Sequence, residues 1–536
     1  MIAADRAGGN DLHDAAASHV LTKDESASQQ EVIAFLSDPK SHRARGPIEC
    51  IETHAAIIFL VGRRALKLKR AVRFPYLDFS SAAKRKAVCE AEVALNLRTA
   101  PDLYLGVRHV GRLANGRLAI NRGTPVDWLI VMRRFGQDAL LAEMAKQGPL
   151  DPRLLRDLAD AIARFHDCAE IVEGRDAEMV RRVIEGNRLS IAEAAGTIFA
   201  PAEGARLAAE QLALLDKLAP LLNRRADAGM VRLCHGDLHL ANICLWRGRP
   251  TLFDCLEFDR ELATSDVLYD LAFLLMDLWH RGLHGDASHI FNRYCDRRAE
   301  AGGVAALPLF LSMRAAVRAH VEASSAARAA KAEGQARMAE RARSLLTAAF
   351  HFLARPAPRL IAVGGISGSG KSTLAAGLAP LIAGAPGARL LRTDMLRKRL
   401  AGVEPEAHIA RRAYTRAAHE ATYAALVREA RETLDAGWPV VVDAVFDFPD
   451  TRTQIERLAA ELAVPFCGVW LEAPPEMLRA RVRARRNDAS DAGTSVVDRQ
   501  LARDIGDLGN WCRVDASGDA QQTLRRAAAL LGLPPA

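Results

Sequence analysis

A chain of 536 residues is long enough for two or three domains. Half of the residues are hydrophobic and 26% are charged, which excludes wholesale disorder and a small disulfide-stapled protein. Lys plus Arg number 73 against 65 Asp plus Glu; the resulting +8 suits anionic ligands such as nucleotides but not a DNA-coating protein, and 5% aromatics is poor material for stacking bases.

In chain order, residues 1–28 are small, polar and mixed in charge, and read as a flexible tail. Gln29 to Leu36 is predicted as a short helix, stopped by Asp38-Pro39. Ala55 to Val61, the turn Gly62-Arg63-Arg64, and Ala65 to Lys69 read as strand, turn and strand. Ser80 to Arg98 has helical spacing, and Leu103–Val110, Arg117–Ile120 and Trp128–Met132 are strand candidates. Pro152 to His166 is an amphipathic helix with proline near its start, where the missing N–H costs little. Helix continues to about 225, strands return at 231–234, 243–246 and 251–253, and helices dominate again to about 350. Residues 322–348 are rich in Ala, Arg and Glu without a strict heptad, and read as a surface helix. Arg355-Pro356-Ala357-Pro358 then breaks the helix and marks a linker. Beyond it, strands and helices alternate to the end, as in a parallel α/β sheet.

The nine cysteines are odd in number and scattered, with no C-x-x-C pair. That pattern suits reduced thiols in a cytoplasmic protein better than a disulfide frame or a zinc site. No basic cluster followed by an apolar core marks a secretory signal, and apolar runs such as Ala55 to Val61 are far shorter than the ~18 residues of a membrane span.

The sharpest motif is Gly365-Ile366-Ser367-Gly368-Ser369-Gly370-Lys371-Ser372, followed by Thr373. It fits G-x-x-x-x-G-K-[ST] between a predicted strand and a predicted helix. Glycines let backbone N–H groups converge on phosphate oxygens, and the helix offers its positive end. Lys371 then places a charge on the β and γ phosphates, and Ser372 offers a hydroxyl to Mg²⁺. Downstream, Asp394 follows the strand Arg389–Leu391, at the strand end where ligands of open α/β sheets bind; as a plain alternative it caps the next helix. Trp438 to Asp443 is an apolar strand ending in an acid, which makes Asp443 a candidate Mg²⁺ ligand. Arg479 to Arg486 carries five arginines, either a phosphate-closing lid or a solvated basic face.

These residues resemble the small P-loop kinases that include gluconate kinase, polynucleotide kinase and zeta-toxin-like kinases. The resemblance covers about 358–536. It implies that Asp394 is the base on the acceptor hydroxyl and Arg397 a substrate contact, with Arg481 and Arg485 as lid arginines on the nucleotide.

A second constellation lies upstream. Cys234 to Asn242 contains H-G-D-x-x-x-x-N, and Leu252-Phe253-Asp254 follows about twelve residues later. Two acids and an amide so spaced suit a catalytic loop beside a metal-binding strand: one acid orients the attacking hydroxyl, while the Asn and the other acid hold Mg²⁺. The segment resembles the aminoglycoside phosphotransferase-like branch of the protein-kinase fold, which implies Asp237 as base, Asn242 and Asp254 as Mg²⁺ ligands, and Asp270 as a structural acid. On the same likeness Lys67 is the strand lysine on the nucleotide phosphates, preferred over Lys69, and Glu90 its helix partner, preferred over Glu92. The sequence departs from the kinase pattern where Glu52-Thr53-His54-Ala55 replaces a glycine-rich loop, and where Cys255-Leu256-Glu257 follows Asp254.

The whole chain thus resembles bacterial proteins in which an aminoglycoside phosphotransferase-like domain is fused to a P-loop ATP-binding domain. The implied fold is a multidomain α+β and α/β protein. A bilobal kinase-like part occupies 29–354 (small lobe about 29–132, large lobe about 133–354), followed by the linker 355–358 and a P-loop domain with a parallel sheet at 359–536. The implied activity is ATP- and Mg²⁺-dependent transfer of the γ-phosphoryl to a hydroxyl of a small molecule. The alternatives are a P-loop ATPase gated by a kinase-like or pseudokinase sensor, and a polynucleotide 5'-hydroxyl kinase, against which the mild charge and few aromatics count. No feature selects an aminoglycoside acceptor, an oligomeric state or a membrane.

Overall fold

The computed structural model describes residues 23–53, 55–74, 77–174, 177–329, 331–382, 384–409, 415–484 and 492–534. Contacts divide the chain into two compact units. One holds residues up to 143 together with 235–237 and 241–263; the other holds 144–234, 238–240 and 264–536.

The first unit is built on a six-stranded antiparallel sheet. In spatial order its strands are Glu49–Glu52, Ala56–Val61, Arg64–Lys69, Thr124–Arg133, Tyr104–Arg112 and Leu118–Ile120. Alternation along Arg64–Lys69 sends Leu66 and Leu68 to one face, where they join Phe59, Leu129 and Val131 beneath Val32 and Leu36 of the first helix. Ala65 belongs to the opposite face, and Lys67 and Lys69 follow it at a spacing of two. Helix Ala82–Asn96 packs on that second face, capped by the Ser81 side chain on the Lys84 N–H. The first helix spans Lys23–Ser37, so it begins inside the stretch expected to be a tail. Its polar composition hides the helix because Val32 and Leu36, one turn apart, do the packing.

The second unit contains a helical half and a five-stranded parallel sheet. Helix Val267–His280 is buried almost throughout, beside Pro152–Cys168, His284–Arg298 and Leu307–Arg328. The stretch Gly302–Arg328 has the length and apolarity of a membrane span, yet 78% of that window is buried inside the protein, as in a core helix. Residues 322–348 are not one surface helix: 322–328 end the buried helix Leu307–Arg328, and a second helix begins at Ala332. Reading only 322–348 misses this because the apolar residues that anchor the first helix lie upstream of 322.

One residue of that core carries a pH consequence. Burial pushes the His320 imidazole down to about 4. The unfolded chain therefore binds a proton that the folded chain refuses once pH falls below about 6.5. Stability is full above that pH, declines through the window down to about 4, and the loss amounts to roughly 3 kcal/mol. His320→Gln is expected to flatten this part of a pH–denaturation profile; an unchanged slope between pH 4 and 6.5 contradicts it.

The parallel sheet has the order Arg389–Arg392, Val440–Asp443, Leu360–Gly365, Phe466–Glu472, Cys512–Asp515. Every neighbouring pair is parallel, and both faces are buried, by Leu426, Leu434 and Trp511 on one side and Leu374, Leu378 and Ala527 on the other. Its edge strand Arg389–Arg392 is covered by helix His284–Arg298. Arg389, 1% exposed, meets the Asp296 carboxylate at 2.5 Å, and the Asn292 amide oxygen accepts the Leu390 N–H at 2.6 Å. On the same helix Arg293 forks onto Asp160 at 2.6 Å and reaches Glu406 at 3.0 Å.

Candidate functional sites

In the first unit the loop after residue 234 assembles the predicted triad. His235 is fully buried; its Nε2 donates to the Phe253 carbonyl at 3.0 Å, and its Nδ1 accepts the Asp237 N–H at 3.4 Å, which fixes the tautomer. Gly236 adopts φ +82°, and a Cβ there would lie 2.8 Å from Leu256 Cβ, so a side chain is excluded between the two halves of the loop. The Asn242 amide nitrogen donates to Asp237 Oδ2 at 2.8 Å and to the Asp237 carbonyl at 3.0 Å. Asp237 and Asn242 are thereby held together as a unit whose oxygens are of the type a divalent cation takes. Phe253 N–H bonds the Asn242 carbonyl at 3.0 Å, so Asp254 follows the loop directly, in a left-handed conformation at φ +62°.

Asp254 faces the sheet. Lys67 Nζ lies 2.5 Å from Asp254 Oδ1 and 2.8 Å from Glu92 Oε1. Lys69 Nζ lies 2.5 Å from Glu92 Oε2 and 2.5 Å from Glu257 Oε1. One fully buried carboxylate, Glu92, thus bridges two lysines. Burial disfavours the charge on Lys67, but Asp254 and Glu92 overcome it and hold the ammonium well above its ordinary value. Burial likewise opposes the Asp254 carboxylate, and Lys67 and Lys69 outweigh it, so its pKa falls. For Glu257 burial prevails over Lys69 and the pKa rises. Two cations face three carboxylates here, a balance that accommodates a divalent cation bound with phosphates.

Glu90 is not the partner of Lys67: it is exposed and reaches Lys86 at 3.8 Å. Helix phase explains the correction. Arg85, Cys89, Glu92 and Asn96 share the buried face, whereas position 90 is turned about 100° from 89. Sequence reading ranked Lys69 below Lys67 and missed Glu257 and Asn96, whose side-chain oxygen accepts the Cys255 N–H at 2.9 Å. A signal for Lys69 existed, since residues two apart on a strand share a face. The strands Glu49–Glu52 and Ala56–Val61 form a hairpin closed by Thr53 on Ala56, where a glycine-rich phosphate cover was absent from the sequence; His54 lies outside the described residues. Asp270 is fully buried, 3.1 Å from His166 Nε2, while His166 Nδ1 meets the Tyr294 hydroxyl at 2.8 Å. Cys234, His166 and Asp270 have metal-ligand types within 4.8 Å of one another, but both ring nitrogens are engaged inside the core, a structural arrangement.

In the second unit the P-loop follows strand Leu360–Gly365 and ends at helix Lys371–Leu378, with Gly370 as N-cap at φ +95°. Gly368, at φ +90°, passes so close to the next layer that a Cβ would sit 2.5 Å from the Leu478 carbonyl oxygen. Ser369 Oγ is buried and has no hydrogen-bond partner among the described residues. Lys371 Nζ rests on the Ile366 carbonyl at 3.3 Å, folded back over the loop it closes. Ser372 Oγ donates to Asp443 Oδ2 at 2.6 Å, and Arg392 Nε lies 3.4 Å from the same oxygen. Ser372 and Asp443 thus present a hydroxyl and a carboxylate side by side, donor types that suit a phosphate-bound cation. This set fits Mg²⁺ and a nucleotide triphosphate: Gly365 to Thr373 would hold the phosphates, and Ser372 and Asp443 the cation, directly or through water.

Asp394 is the second residue of helix Thr393–Leu400, whose N-cap is Arg392, so it is not the cap. Its Oδ1 accepts from Arg397 Nη1 at 3.0 Å. A cavity of about 350 Å³ opens beside the P-loop, lined by Gly370, Thr373, Arg481, Gly518, Asp519 and Thr523 among others. Arg481 Nη2 donates to the Gly518 carbonyl at 3.1 Å, tying the arginine helix to the loop before the last helix. Arg485 lies outside the described residues. Neither the Gly518 wall nor Gln500, whose side-chain oxygen accepts the Ser367 N–H at 2.9 Å, is marked by any local motif.

Comparison with known proteins agrees with two constellations in one chain. Residues 81–306 match the family described as "Phosphotransferase enzyme family", and 360–504 match "AAA domain". The uncharacterized protein Rv2004c of Mycobacterium tuberculosis is 31% identical over 490 residues, 90% of this chain and 94% of that protein. Among solved structures, a gluconokinase from Sinorhizobium meliloti is 23% identical and covers 33% of this chain and 94% of its own, with a TM-score of 0.25. A choline/ethanolamine kinase family protein from Mesorhizobium loti is 14% identical and covers 60% and 95%, with a TM-score of 0.35.

Proposed function

Because the chain belongs to the family of two-domain proteins that joins a phosphotransferase-type domain to a P-loop kinase domain and includes the mycobacterial relative, we propose that it is an ATP- and Mg²⁺-dependent kinase of small hydroxyl compounds. Its family domains are of the kinase type. The ATP dependence, the two active sites and a cytoplasmic location are our reading. The observation that carries it is the 2.6 Å contact between Ser372 and Asp443 under a glycine loop that admits no side chain at Gly368.

At the P-loop site, Lys371 and the loop amides would neutralise the β and γ phosphates, and Ser372 and Asp443 would hold a Mg²⁺ that supplies further positive charge to the transferred group. Asp394 would accept the proton of the acceptor hydroxyl, with Arg397 holding that carboxylate and the acceptor. At the other site Lys67, set by Glu92, would hold nucleotide phosphates, and Asn242 and Asp254 would hold the cation. Asp237 would orient and deprotonate a hydroxyl. Both sites rely on positioning and charge neutralisation, which carry most of the catalysis in phosphoryl transfer.

A second reading has its own observation. The hairpin Glu49–Val61 offers no glycine over the Lys67 site, and Lys67 is already held by Asp254 as well as Glu92. This favours a domain that binds nucleotide and gates the P-loop site. A ³¹P NMR time course of ATP, Mg²⁺ and a pooled metabolite extract separates the two. For a two-site kinase, Lys371→Ala and Asp237→Ala each remove a different phosphomonoester signal. For the gated ATPase, only inorganic phosphate forms and only Lys371→Ala abolishes it. ATP turnover untouched by both substitutions ends both readings.

A further inference from the structure

The face of the six-stranded sheet that turns away from Lys67 carries a pocket that neither nucleotide site uses. Its volume is about 390 Å³. The floor is apolar: Val61, Leu66, Leu105, Ile120 and Val131, of which Leu66 and Val131 are cross-strand partners. The rim is basic. Arg43, Arg64 and Arg108 line it with His42, and no carboxylate is among its lining residues.

The rim is also built, rather than left over. The one-turn helix Pro39–His42 follows the first helix and is closed by Arg43 in a left-handed conformation at φ +53°, whose N–H bonds the Lys40 and Pro39 carbonyls. His42 Nε2 meets the Leu36 carbonyl at 2.8 Å, which holds the imidazole in place. Across the pocket, Asn121 turns the chain between two strands at φ +58°, its N–H on the His109 carbonyl at 2.8 Å. None of the three arginines has an ion-pair partner among the described residues. Arg85 on Asp127 and Arg112 on Glu31, in the same unit, are paired. Three guanidinium groups around an apolar floor leave a positive potential over a surface that gains by losing water.

The structure assigns this pocket to a small amphipathic anion: a carboxylate or phosphate carried on an apolar body. The anionic head would take the arginine forks, which suit both groups bidentately, and the body would cover the leucine and valine floor. The head group is the shared chemistry; a carboxylate and a phosphate monoester are its two sources. Leu66 on the floor precedes Lys67 in sequence, so an occupant bears on the same strand that holds the nucleotide lysine, from the other side.

Isothermal titration of the full chain tests this with octanoate, octyl phosphate and octylammonium, which share one apolar body and differ in head group. The assignment expects the two anions to bind at least tenfold more tightly than octylammonium, and the stronger of the two names the head group. In the double variant Arg64→Glu/Arg108→Glu the order should reverse. Arg63→Glu, on the adjacent turn but outside the pocket, should leave it unchanged, and thermal unfolding of each variant verifies the fold. Equal binding of all three probes, binding of none, or an order that survives the double charge reversal overturns the assignment.

Discussion

Glu92→Ala is expected to destabilise the first unit by about 3–5 kcal/mol and to abolish Mg²⁺–nucleotide binding at the Lys67 site. The reason is the arrangement of charge. Glu92 is fully buried and its two oxygens each hold a different lysine, at 2.8 and 2.5 Å. Removing it takes away the carboxylate that joins Lys67 to Lys69 and leaves each buried ammonium with one carboxylate among those named here, Asp254 for Lys67 and Glu257 for Lys69. Glu90→Ala is the matched control, because that carboxylate is exposed and its contact with Lys86 is loose at 3.8 Å; a surface change of this kind stays within about 0.5 kcal/mol. Guanidinium denaturation gives the stability difference. Binding of a fluorescent ATP analogue in a Lys371→Ala background reports the Lys67 site alone. Equal effects of the two substitutions would show that the bridge is not what holds the lysines.

The second large effect is expected at Asp443. Its carboxylate takes the Ser372 hydroxyl at 2.6 Å and Arg392 at 3.4 Å, and its backbone carbonyl accepts from Thr393 Oγ1 at 3.3 Å. Asp443→Asn keeps the shape and the strand register but removes the negative charge that faces the cation. Loss of one preorganised electrostatic group typically lowers turnover by about 10²–10³, so Mg²⁺-dependent ATP consumption by the P-loop site should fall by that factor. The apparent Mg²⁺ requirement should rise with it, while thermal stability changes little. Activity restored by neither added Mg²⁺ nor Mn²⁺, together with a collapsed melting temperature, would assign Asp443 to folding instead.

The two sites were legible in the sequence to different depths, for physical reasons. The P-loop is contiguous: strand, glycines, lysine and helix start lie within fourteen residues, so local rules suffice. Asp237, Asn242 and Asp254 could be picked out as one group because a single loop and hairpin carry them. The lysine–glutamate partnership joins residues 25 apart across a sheet and a helix, and there the outcome turns on helix phase: Glu92 faces the lysines and Glu90, two residues earlier, does not. Glu257 meeting Lys69 across 188 residues, and Gln500 meeting Ser367 across 133, are products of tertiary packing that no local spacing encodes. The opening helix was half-seen, because the residues that pack, Val32, Ile33, Phe35 and Leu36, all lie in its second half.

The helix His284–Arg298 laid along the edge strand Arg389–Arg392 has a meaning for inheritance. An open sheet edge invites pairing with any passing strand, and proteins keep such edges covered. Here the cover comes from a helix far upstream of the Arg355–Pro358 break, fastened by Arg389 on Asp296 and Asn292 on Leu390. The proline-rich break is a place where the chain loses regular structure, and a cut there would part that helix from the strand it covers. A recombination event at that point would separate a strand from its shield. The two halves would then travel through evolution as one cargo, and a lineage that lost one would be under pressure to lose the other.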